Sequence, residues 1–212
     1  MAIGLIVPVL SNFFGFTKMI ESVDVDIRPI IIDNWEDNLG VSIGWNNGIA
    51  KAIELGLDTV CVVNDDVTFA PGALDKLVES SVDCDLVSGV NHDDEQSGLY
   101  FGGFPDYSAF VIKPKSFVEK FGLFDETFSP AYFEDNDMHY RIKLAGGKAA
   151  LRLDARIYHV GSVTQFSVTD GVVTNQMFEE NRAYYISKWG GQPREERFTN
   201  PFNDPARDIK DW

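Results

Sequence analysis

Two short apolar runs in the first third of the sequence end in acidic residues. Ile27–Ile32 is followed by Asp33-Asn34, and Thr59–Val63 is followed by Asn64-Asp65-Asp66. Because an isolated buried charge is costly, such carboxylates are poor core residues. They suit a site beside sugar hydroxyls or beside a hard divalent cation, which prefers carboxylate oxygen. Capping of the turns and helices that follow is the alternative, and it is less convincing when two strand ends carry acids.

A second acidic group lies at a predicted helix start. Within the segment Tyr132–Arg141, Glu134 and Asp135 fall in the first turn, where the helix dipole favours carboxylates. Asp135 could take a proton from an attacking hydroxyl as a general base. It is also spaced to share a metal with His139 on one helix face, although the apolar neighbours of that histidine favour packing.

A histidine and three basic residues complete the set of candidates. His159 ends a predicted strand, so a metal-ligand role competes evenly with the usual structural role of a lone histidine. Arg141 is four residues from Asp137, a spacing that predicts a structural ion pair. Arg182 and Lys188 on the last predicted helix fit a solvated face, and contact with a diphosphate is the alternative.

The elements that position these residues alternate between strand and helix in the first half. Strands are predicted at Ile3–Val9, Ile27–Ile32, Thr59–Val63 and Leu86–Val90, and helices at Gly15–Ser22, Gly44–Leu55 and after Pro71. This rhythm predicts an α/β fold with a mainly parallel central sheet and helices on both faces. Ligands of such sheets bind beyond the carboxyl ends of the strands, where the acidic residues above lie.

The second half is more mixed. Predicted strands are Ser108–Ile112, Ala149–Leu153 and Arg156–Val160, and predicted helices are Pro114–Phe121, Glu134–Ala145 and Met177–Lys188. Ser162–Gln176 is predicted to form a hairpin or a mobile lid. We expect one domain over residues 1–191 and an extended tail over 192–212 that wraps the domain or stays mobile.

Composition limits the classes of partner. The 212 residues carry 18 basic and 33 acidic side chains, a net charge of −15, so binding of nucleic acid through a general basic patch is not expected. The two cysteines, Cys61 and Cys84, are expected to be buried free thiols in a reducing compartment. The apolar start resembles a strand rather than a signal peptide, and no stretch is long enough to span a membrane, so we expect a cytoplasmic protein.

Five motifs occur in a defined order. They are Gly44-Trp-Asn-Asn-Gly-Ile-Ala-Lys-Ala52, Val62-Val-Asn-Asp-Asp-Val-Thr-Phe-Ala-Pro-Gly-Ala-Leu74, Phe121-Gly-Leu-Phe-Asp-Glu-Thr-Phe128, Tyr132-Phe-Glu-Asp-Asn-Asp137 and Ala155-Arg-Ile-Tyr-His-Val-Gly161. Together they resemble the nucleotide-sugar glycosyltransferases of the GT-A (Rossmann-like) fold, in particular the family 2 type that includes rhamnosyltransferase-like proteins. The resemblance implies a nucleotide-binding half over residues 1–98 and an acceptor and catalytic half over 99–191.

The resemblance also implies which residues bind a nucleoside-diphosphate sugar: Pro8, Val9, Asp33, Asn47, Asn64 and Asp65. The first three would line the nucleobase pocket, and Asn47 would lie near the nucleoside or diphosphate. Asn64 and Asp65 would lie near the ribose and the donor sugar. Asn64 stands where the family motif Asp-X-Asp has its first aspartate.

Metal binding and catalysis are implied for four further residues. Asp66 and His159 would hold Mn²⁺ or Mg²⁺, which would stabilise the departing nucleoside diphosphate. Asp135, with Glu134 beside it, would be the base in a transfer that inverts the anomeric carbon. The acceptor, the sugar, the nucleobase and the oligomeric state stay open.

Two other functions compete with this interpretation. A protein with the same fold but an inactive site would bind a nucleotide sugar or a glycan without turnover. A nucleotidyltransferase would also combine an α/β domain, a metal and a nucleotide. That class usually has a basic glycine-rich loop after the first strand, and Ser11–Gly15 contains no lysine or arginine.

Overall fold

An eight-stranded mixed sheet organises the computed structural model, which describes residues 3–10, 12–34, 38–91, 96–160 and 172–212. Its strands are β1 (Ile3–Val9), β2 (Ile27–Asp33), β3 (Val60–Val63), β4 (Val67–Phe69), β5 (Leu86–Val90), β6 (Leu99–Tyr100), β7 (Ala109–Ile112) and β8 (Ala149–His159). Their order is β2-β1-β3-β7-β5-β8-β4, and β6 also pairs with β8.

Six α-helices accompany the sheet within the described residues. They are α1 (Phe13–Glu21), α2 (Val41–Glu54), α3 (Ala73–Ser80), α4 (Pro114–Phe121), α5 (Glu134–Leu144) and α6 (Val172–Trp189), followed by a 3₁₀ turn at Pro201–Asn203. Helix α4 begins with a proline, whose fixed φ suits the first helical position, and Gly122 with φ of 76° ends it.

Strand directions agree with the predicted fold class and add one feature. Strand β1 pairs in parallel with β2 and β3, and β5 pairs in parallel with β8. Strand β7 lies antiparallel between β3 and β5. Strands β1, β2, β3, β5 and β8 therefore share one direction, and β7 starts at the edge where β3 and β5 end.

Strand β8 corrects one sequence prediction. The two strands expected at Ala149–Leu153 and Arg156–Val160 form a single strand that shifts register against β5 between Ser88 and Val90. Its second part pairs antiparallel with β4, a short strand that the sequence did not predict. Pairing with two neighbours satisfies the backbone on both sides of the irregular region, so the strand continues through it.

Apolar side chains on both faces of the sheet are covered by helices, as predicted. On one face Leu5 and Cys61 belong to a cluster closed by residues of α1 and α3. On the other face Ile6, Val62 and Phe110 pack with residues of α2, α4 and α5. Each large apolar side chain buried in this way stabilises the fold by about 1.5–3 kcal/mol. Cys61 and Cys84 are both free and buried, as expected.

The C-terminal segment makes hydrogen bonds along the domain. The Leu123 N–H donates to the carbonyl of Trp212 at 2.8 Å. The Tyr140 hydroxyl donates to the carbonyl of Phe198 at 3.0 Å. Among the helices of the described ranges, none has the length and apolarity needed to cross a bilayer.

Candidate active site

The carboxyl ends of β1 and β2 meet at one edge of the sheet. Val9 is the register partner of Asp33, and the Asn34 N–H donates to the carbonyl of Val9 at 2.9 Å. Helix α2 packs closely on this end, since a Cβ added at Gly44 would lie 3.1 Å from the Cβ of Pro8. The structure thus brings together the three residues predicted to line a nucleobase pocket, with Val9 buried and Asp33 exposed.

The turn after β3 is held by neighbouring segments. The Asn64 N–H donates to the carbonyl of Ser108 at 2.8 Å, and the Asn12 side chain donates to the carbonyl of Asp65 at 3.3 Å. Burial, together with the charge of Asp66, raises the pKa of Asp65 to about 6. Its buried Oδ2 atom accepts no hydrogen bond from the described residues. One oxygen of this carboxylate is therefore an unsatisfied acceptor beside the strand end.

Pairing of β4 with β8 brings a carboxylate and an imidazole together. Val67 is the register partner of His159, so the preceding Asp66 lies beside it, and His159 Nε2 is 3.3 Å from Asp66 Oδ1. The Val160 N–H donates to the carbonyl of Asp66 at 3.2 Å, and the His159 N–H donates to Oδ1 of Asn91 at 3.3 Å. The hydrogen bond to Asp66 raises the pKa of His159.

The Asp66 and His159 pair fits two ligands of a divalent cation. Two neighbouring ligands of an octahedral Mg²⁺, with bonds of about 2.1 Å, lie about 3 Å apart, close to the 3.3 Å observed. Carboxylate oxygen and imidazole nitrogen are also a suitable donor set for Mn²⁺. Across the described ranges, no three His, Cys, Asp or Glu side chains come close enough to hold a metal. A cation here would take its other ligands from water or from a bound molecule.

Helix α5 presents two acidic residues at its first turn. Glu134 is buried and its Oε2 has no hydrogen-bond partner among the described residues, while Oδ1 of Asp135 accepts from the backbone N–H and the side chain of Asn136, both at 2.7 Å. The residues before the helix, Tyr132 and Phe133, have φ of 81° and 72°. This left-handed backbone is costly for non-glycine residues and is enriched at functional sites.

Burial changes the acidity of both carboxyl groups. It raises the pKa of Glu134 well above its ordinary value, and the nearby charge of Asp135 adds to the increase. Burial also raises the pKa of Asp135, and the charge of Asp106 adds to that increase. A carboxylate with a raised pKa is a stronger base, so Asp135 is better suited to accept a proton than an exposed aspartate.

The structure contradicts both interpretations of Lys188, since this residue neither lies on a solvated helix face nor is free to contact a diphosphate. Its side chain is fully buried, with Nζ 2.7 Å from Oδ2 of Asp125 and 2.7 Å from Oδ1 of Asp137. The predicted pair of Asp137 and Arg141 is present at 2.9 Å, also fully buried. These charges fasten α6 to α5, on which Asp135 lies.

Asn47 and Arg182 have no described contact with the groups above. Asn47 is exposed on α2, whereas the preceding Asn46 is buried and exchanges two hydrogen bonds of 2.9 Å with the backbone of Phe124. Arg182 pairs with Glu179 on the same helix at 3.3 Å. The solvated-face interpretation therefore suits Arg182. His139 packs its ring on Phe104 at 4.7 Å, which agrees with a packing role.

Two residues at the site were not predicted. Asn91 holds the backbone of His159 by a hydrogen bond from the end of β5, and Asp106 lies just before β7, where its charge acts on both His159 and Asp135. No local pattern marks either residue, because their neighbours at the site come from distant parts of the sequence.

Of the hairpin or lid predicted over 162–176, residues 162–171 lie outside the described residues and 172–176 begin α6.

Comparison with known proteins gives structural matches alone. No protein-family profile and no curated protein sequence matches the chain. The crystal structure of GalNAc-T7 with UDP, GalNAc and Mn²⁺ has a TM-score of 0.61 at 14% identity, over 89% of this chain and 50% of that one. Our chain therefore spans about half the length of that protein.

Two further solved structures are similar at low identity. TarS residues 1–349 of S. aureus in complex with UDP gives a TM-score of 0.56 at 14% identity, over 88% of this chain and 72% of that one. The catalytic domain of Drosophila beta1,4-galactosyltransferase 7 with xylobiose gives 0.55 at 12% identity, over 77% and 72%. Together with the sheet order and the position of the acidic residues, these matches show that the chain has the GT-A glycosyltransferase fold.

Proposed function

We propose that this protein transfers a sugar from a nucleoside-diphosphate sugar to an acceptor hydroxyl. The observation that carries the proposal is the contact of Asp66 with His159, at the edge of a GT-A fold that also carries the half-buried carboxylate of Asp135. The crystal structures of GalNAc-T7 and TarS contain UDP, which supports a nucleotide-linked sugar as the donor. In this proposal residues 1–98 bind the nucleotide, 99–191 bind the acceptor and complete catalysis, and 192–212 form a supporting tail.

The nucleotide would lie across the carboxyl ends of β1, β2 and β3. Pro8, which is half-buried, would give this end an apolar surface, whereas the Val9 side chain packs in the core. The Asp33 carboxylate can accept from a base N–H. Asn64 and Asp65 follow the adjacent strand, within reach of the ribose and the donor sugar. Asn47 is the weakest member of the predicted set, because it is exposed on α2 and no described contact links it to this edge.

A divalent cation, Mn²⁺ or Mg²⁺, is part of the proposal because the site is strongly acidic. Four aspartates lie at or near this edge, Asp65, Asp66, Asp106 and Asp135. A diphosphate would add further negative charge. Asp66 and His159 would hold the ion. When bound, such an ion supplies Lewis-acid stabilisation of a diphosphate leaving group. The Mn²⁺ in the GalNAc-T7 structure supports this choice.

Asp135 would act as the base. Its carboxylate would take the proton of the acceptor hydroxyl as the acceptor oxygen attacks the anomeric carbon, and attack from the face opposite the leaving group inverts that carbon. Partial burial raises the pKa of this carboxylate, which favours proton transfer. Glu134, buried beside it, would orient the first turn of α5.

The test measures nucleotide release from UDP-, GDP- and dTDP-sugars with Mn²⁺, on a panel of sugar and peptide acceptors, for the wild type and three variants. We expect Asp135→Asn to lower kcat by about 10²–10⁴-fold with little change in nucleotide binding. Asp66→Asn should weaken Mn²⁺-dependent nucleotide binding. The matched control Asp58→Asn, at the opposite end of β3, should behave as the wild type.

Other outcomes would contradict the proposal in different ways. Tight binding of nucleotide sugars without turnover on the whole panel would favour an inactive binding protein. Turnover that survives both Asp66→Asn and Asp135→Asn, with the variants folded, would contradict the assignment of the site. The anomeric configuration of the product, measured by NMR, tests inversion separately.

A further inference from the structure

Asn181 on α6 binds the backbone of the segment that leads into α5. Its side-chain amide donates to the carbonyl of Ala131 at 2.8 Å. The same amide lies 3.3 Å from the carbonyl of Tyr132 and 3.4 Å from that of Ser129. Asn181 is 5% exposed, so these contacts are largely shielded from water. One buried side chain therefore contacts three backbone carbonyls of this segment.

Two aromatic residues of α6 pack against the side chains of the same segment. The centre of the Phe178 ring lies 5.3 Å from that of Tyr132 and 5.1 Å from that of Phe133. The ring of Tyr185 lies 5.6 Å from Phe133. Residues 178, 181 and 185 are three and four positions apart, so they share one face of the helix. This face of α6 contacts both the backbone and the side chains of the segment.

Helix α2 contacts the segment at a second place. The Val41 N–H donates to the carbonyl of Pro130 at 2.7 Å. A Cβ added at Gly40 would lie 2.9 Å from the same carbonyl oxygen, so the backbones of α2 and of the segment are in close contact. Residues 129–133 are therefore bound by both α2 and α6.

The conformation of this segment sets the start of α5. Tyr132 and Phe133 have φ of 81° and 72°, a left-handed backbone that residues other than glycine adopt only when neighbouring contacts stabilise it. The Asp137 N–H donates to the carbonyl of Phe133 at 2.9 Å, which closes the first turn of the helix. Asp135 belongs to this turn. Contacts that stabilise the left-handed backbone therefore also fix the position of Asp135.

We propose that Asn181 is a positioning residue that keeps Asp135 in place for proton transfer. The inference rests on the proposed function, in which Asp135 is the base, and adds a residue of α6 to it. A base must lie within hydrogen-bond reach of the proton that it accepts, and a misplacement of about 1 Å can lower the rate by about 10²-fold. Without the Asn181 amide, the carbonyl of Ala131 would lose its donor, and the left-handed backbone would lose a contact that stabilises it.

The test replaces Asn181 by leucine, which has a similar size and no donor. The matched control is Asn200→Leu, which removes the donor of a 3.1 Å hydrogen bond to the carbonyl of Arg207 in the C-terminal segment. Calorimetric titration with Mn²⁺ and UDP, GDP or dTDP, whichever the fastest wild-type donor carries, counts the folded sites. We expect kcat per site to fall by about 10–100-fold in Asn181→Leu, with little change in nucleotide Kd, and to stay at the wild-type value in Asn200→Leu.

A double substitution separates positioning from a general structural role. If Asn181 acts through Asp135, then Asn181→Leu should lower kcat much less in an Asp135→Asn background than in the wild type, because both losses have one cause. Losses that multiply would overturn the inference. Phe178→Leu is the milder second variant, since Phe178 is 36% exposed and contacts the same segment. It should lower kcat by a smaller factor, again with little change in nucleotide Kd.

Amide hydrogen exchange gives a readout that does not depend on activity. We expect faster exchange over residues 132–137 in Asn181→Leu and Phe178→Leu, and unchanged exchange in β5. Unchanged exchange over 132–137, or a wild-type kcat per site in Asn181→Leu, would overturn the role of Asn181 and leave the proposed function intact. A wild type that releases no nucleotide from any donor would overturn the proposed function, and with it the assignment of Asn181 to proton transfer.

Discussion

Replacing Lys188 by methionine is expected to destabilise the fold strongly. The ammonium group lies 2.7 Å from carboxylate oxygens of both Asp125 and Asp137, and 3.4 Å from the centre of the Trp212 ring. Methionine has a similar length and fills the same space, so the substitution removes charge with little change in packing. Asp125 would keep the Tyr184 hydroxyl at 2.9 Å as a donor, but no cation.

The expected loss follows from the burial of the pair. Removing one partner of a buried ion pair costs about 3–5 kcal/mol, because the other charge stays buried without compensation. This is a large part of the roughly 5–15 kcal/mol that a natural domain has in total. An exposed pair such as Lys51 with Glu54, 2.8 Å apart, contributes about 0.3–0.5 kcal/mol. Lys51→Met is therefore the matched control.

The effect should depend on pH. Burial alone would raise the pKa of Asp125, but the charge and hydrogen bond of Lys188 lower it below its ordinary value. A carboxyl group with a lowered pKa stabilises the fold above its unfolded pKa, about 3.9, and this contribution is lost as the pH falls through the folded pKa. The difference between wild type and Lys188→Met should therefore be largest near pH 7 and shrink below about pH 4.

Urea unfolding followed by circular dichroism at pH 7 and at about pH 3 measures these differences, because the contribution of Asp125 is lost only below its unfolded pKa. A loss of less than about 1 kcal/mol at pH 7, no greater than that of Lys51→Met, would show that the buried network contributes no more than a surface pair. A loss that stays constant between the two pH values would contradict the part assigned to Asp125.

Three further predictions concern other parts of the chain. Burial raises the pKa of Glu134, so the folded wild type keeps a proton that the unfolded chain releases above about pH 4.3. Wild-type stability in urea titrations should therefore fall by up to about 1.4 kcal/mol per pH unit above that point. Glu134→Gln should flatten this pH dependence. Burial raises the pKa of both thiols, that of Cys84 to about 11, so a thiol reagent at pH 8 should modify Cys61 and Cys84 rapidly after unfolding and slowly before it. Gly48→Ala should cost about 1–3 kcal/mol in thermal unfolding, since the added Cβ would lie 2.1 Å from Cγ2 of Ile6.

Much of the fold could be predicted from local patterns. The apolar runs Ile3–Val9 and Leu86–Val90 and the helix Pro114–Phe121 have the predicted bounds, because each is enclosed by turn or proline signals. Pairing could not be predicted in the same way. The continuous apolar run Ala109–Ile112 indicates a buried strand but does not specify its direction or its neighbours, so its antiparallel position between β3 and β5 needed the structure.

Asp66 and His159 are far apart in sequence, and only the family resemblance assigned them to one site. The pairing of β4 with β8 brings them within 3.3 Å of each other. Lys188 was misjudged because its partners, Asp125 and Asp137, come from distant segments, and a lysine on a helix usually faces water. Asp106 was missed for the same reason, since its importance comes from tertiary neighbours.

The direction of β7 has a practical consequence for engineering. Because β5 ends and β7 begins at the same edge of the sheet, the connection between Val90 and Ala109 starts and finishes beside the proposed catalytic groups. A chimera that exchanges this connection for that of another protein with the same topology must keep Leu99 and Tyr107, which pack in the two core clusters. New donor preferences could then be selected from a library confined to one interchangeable stretch of the polypeptide.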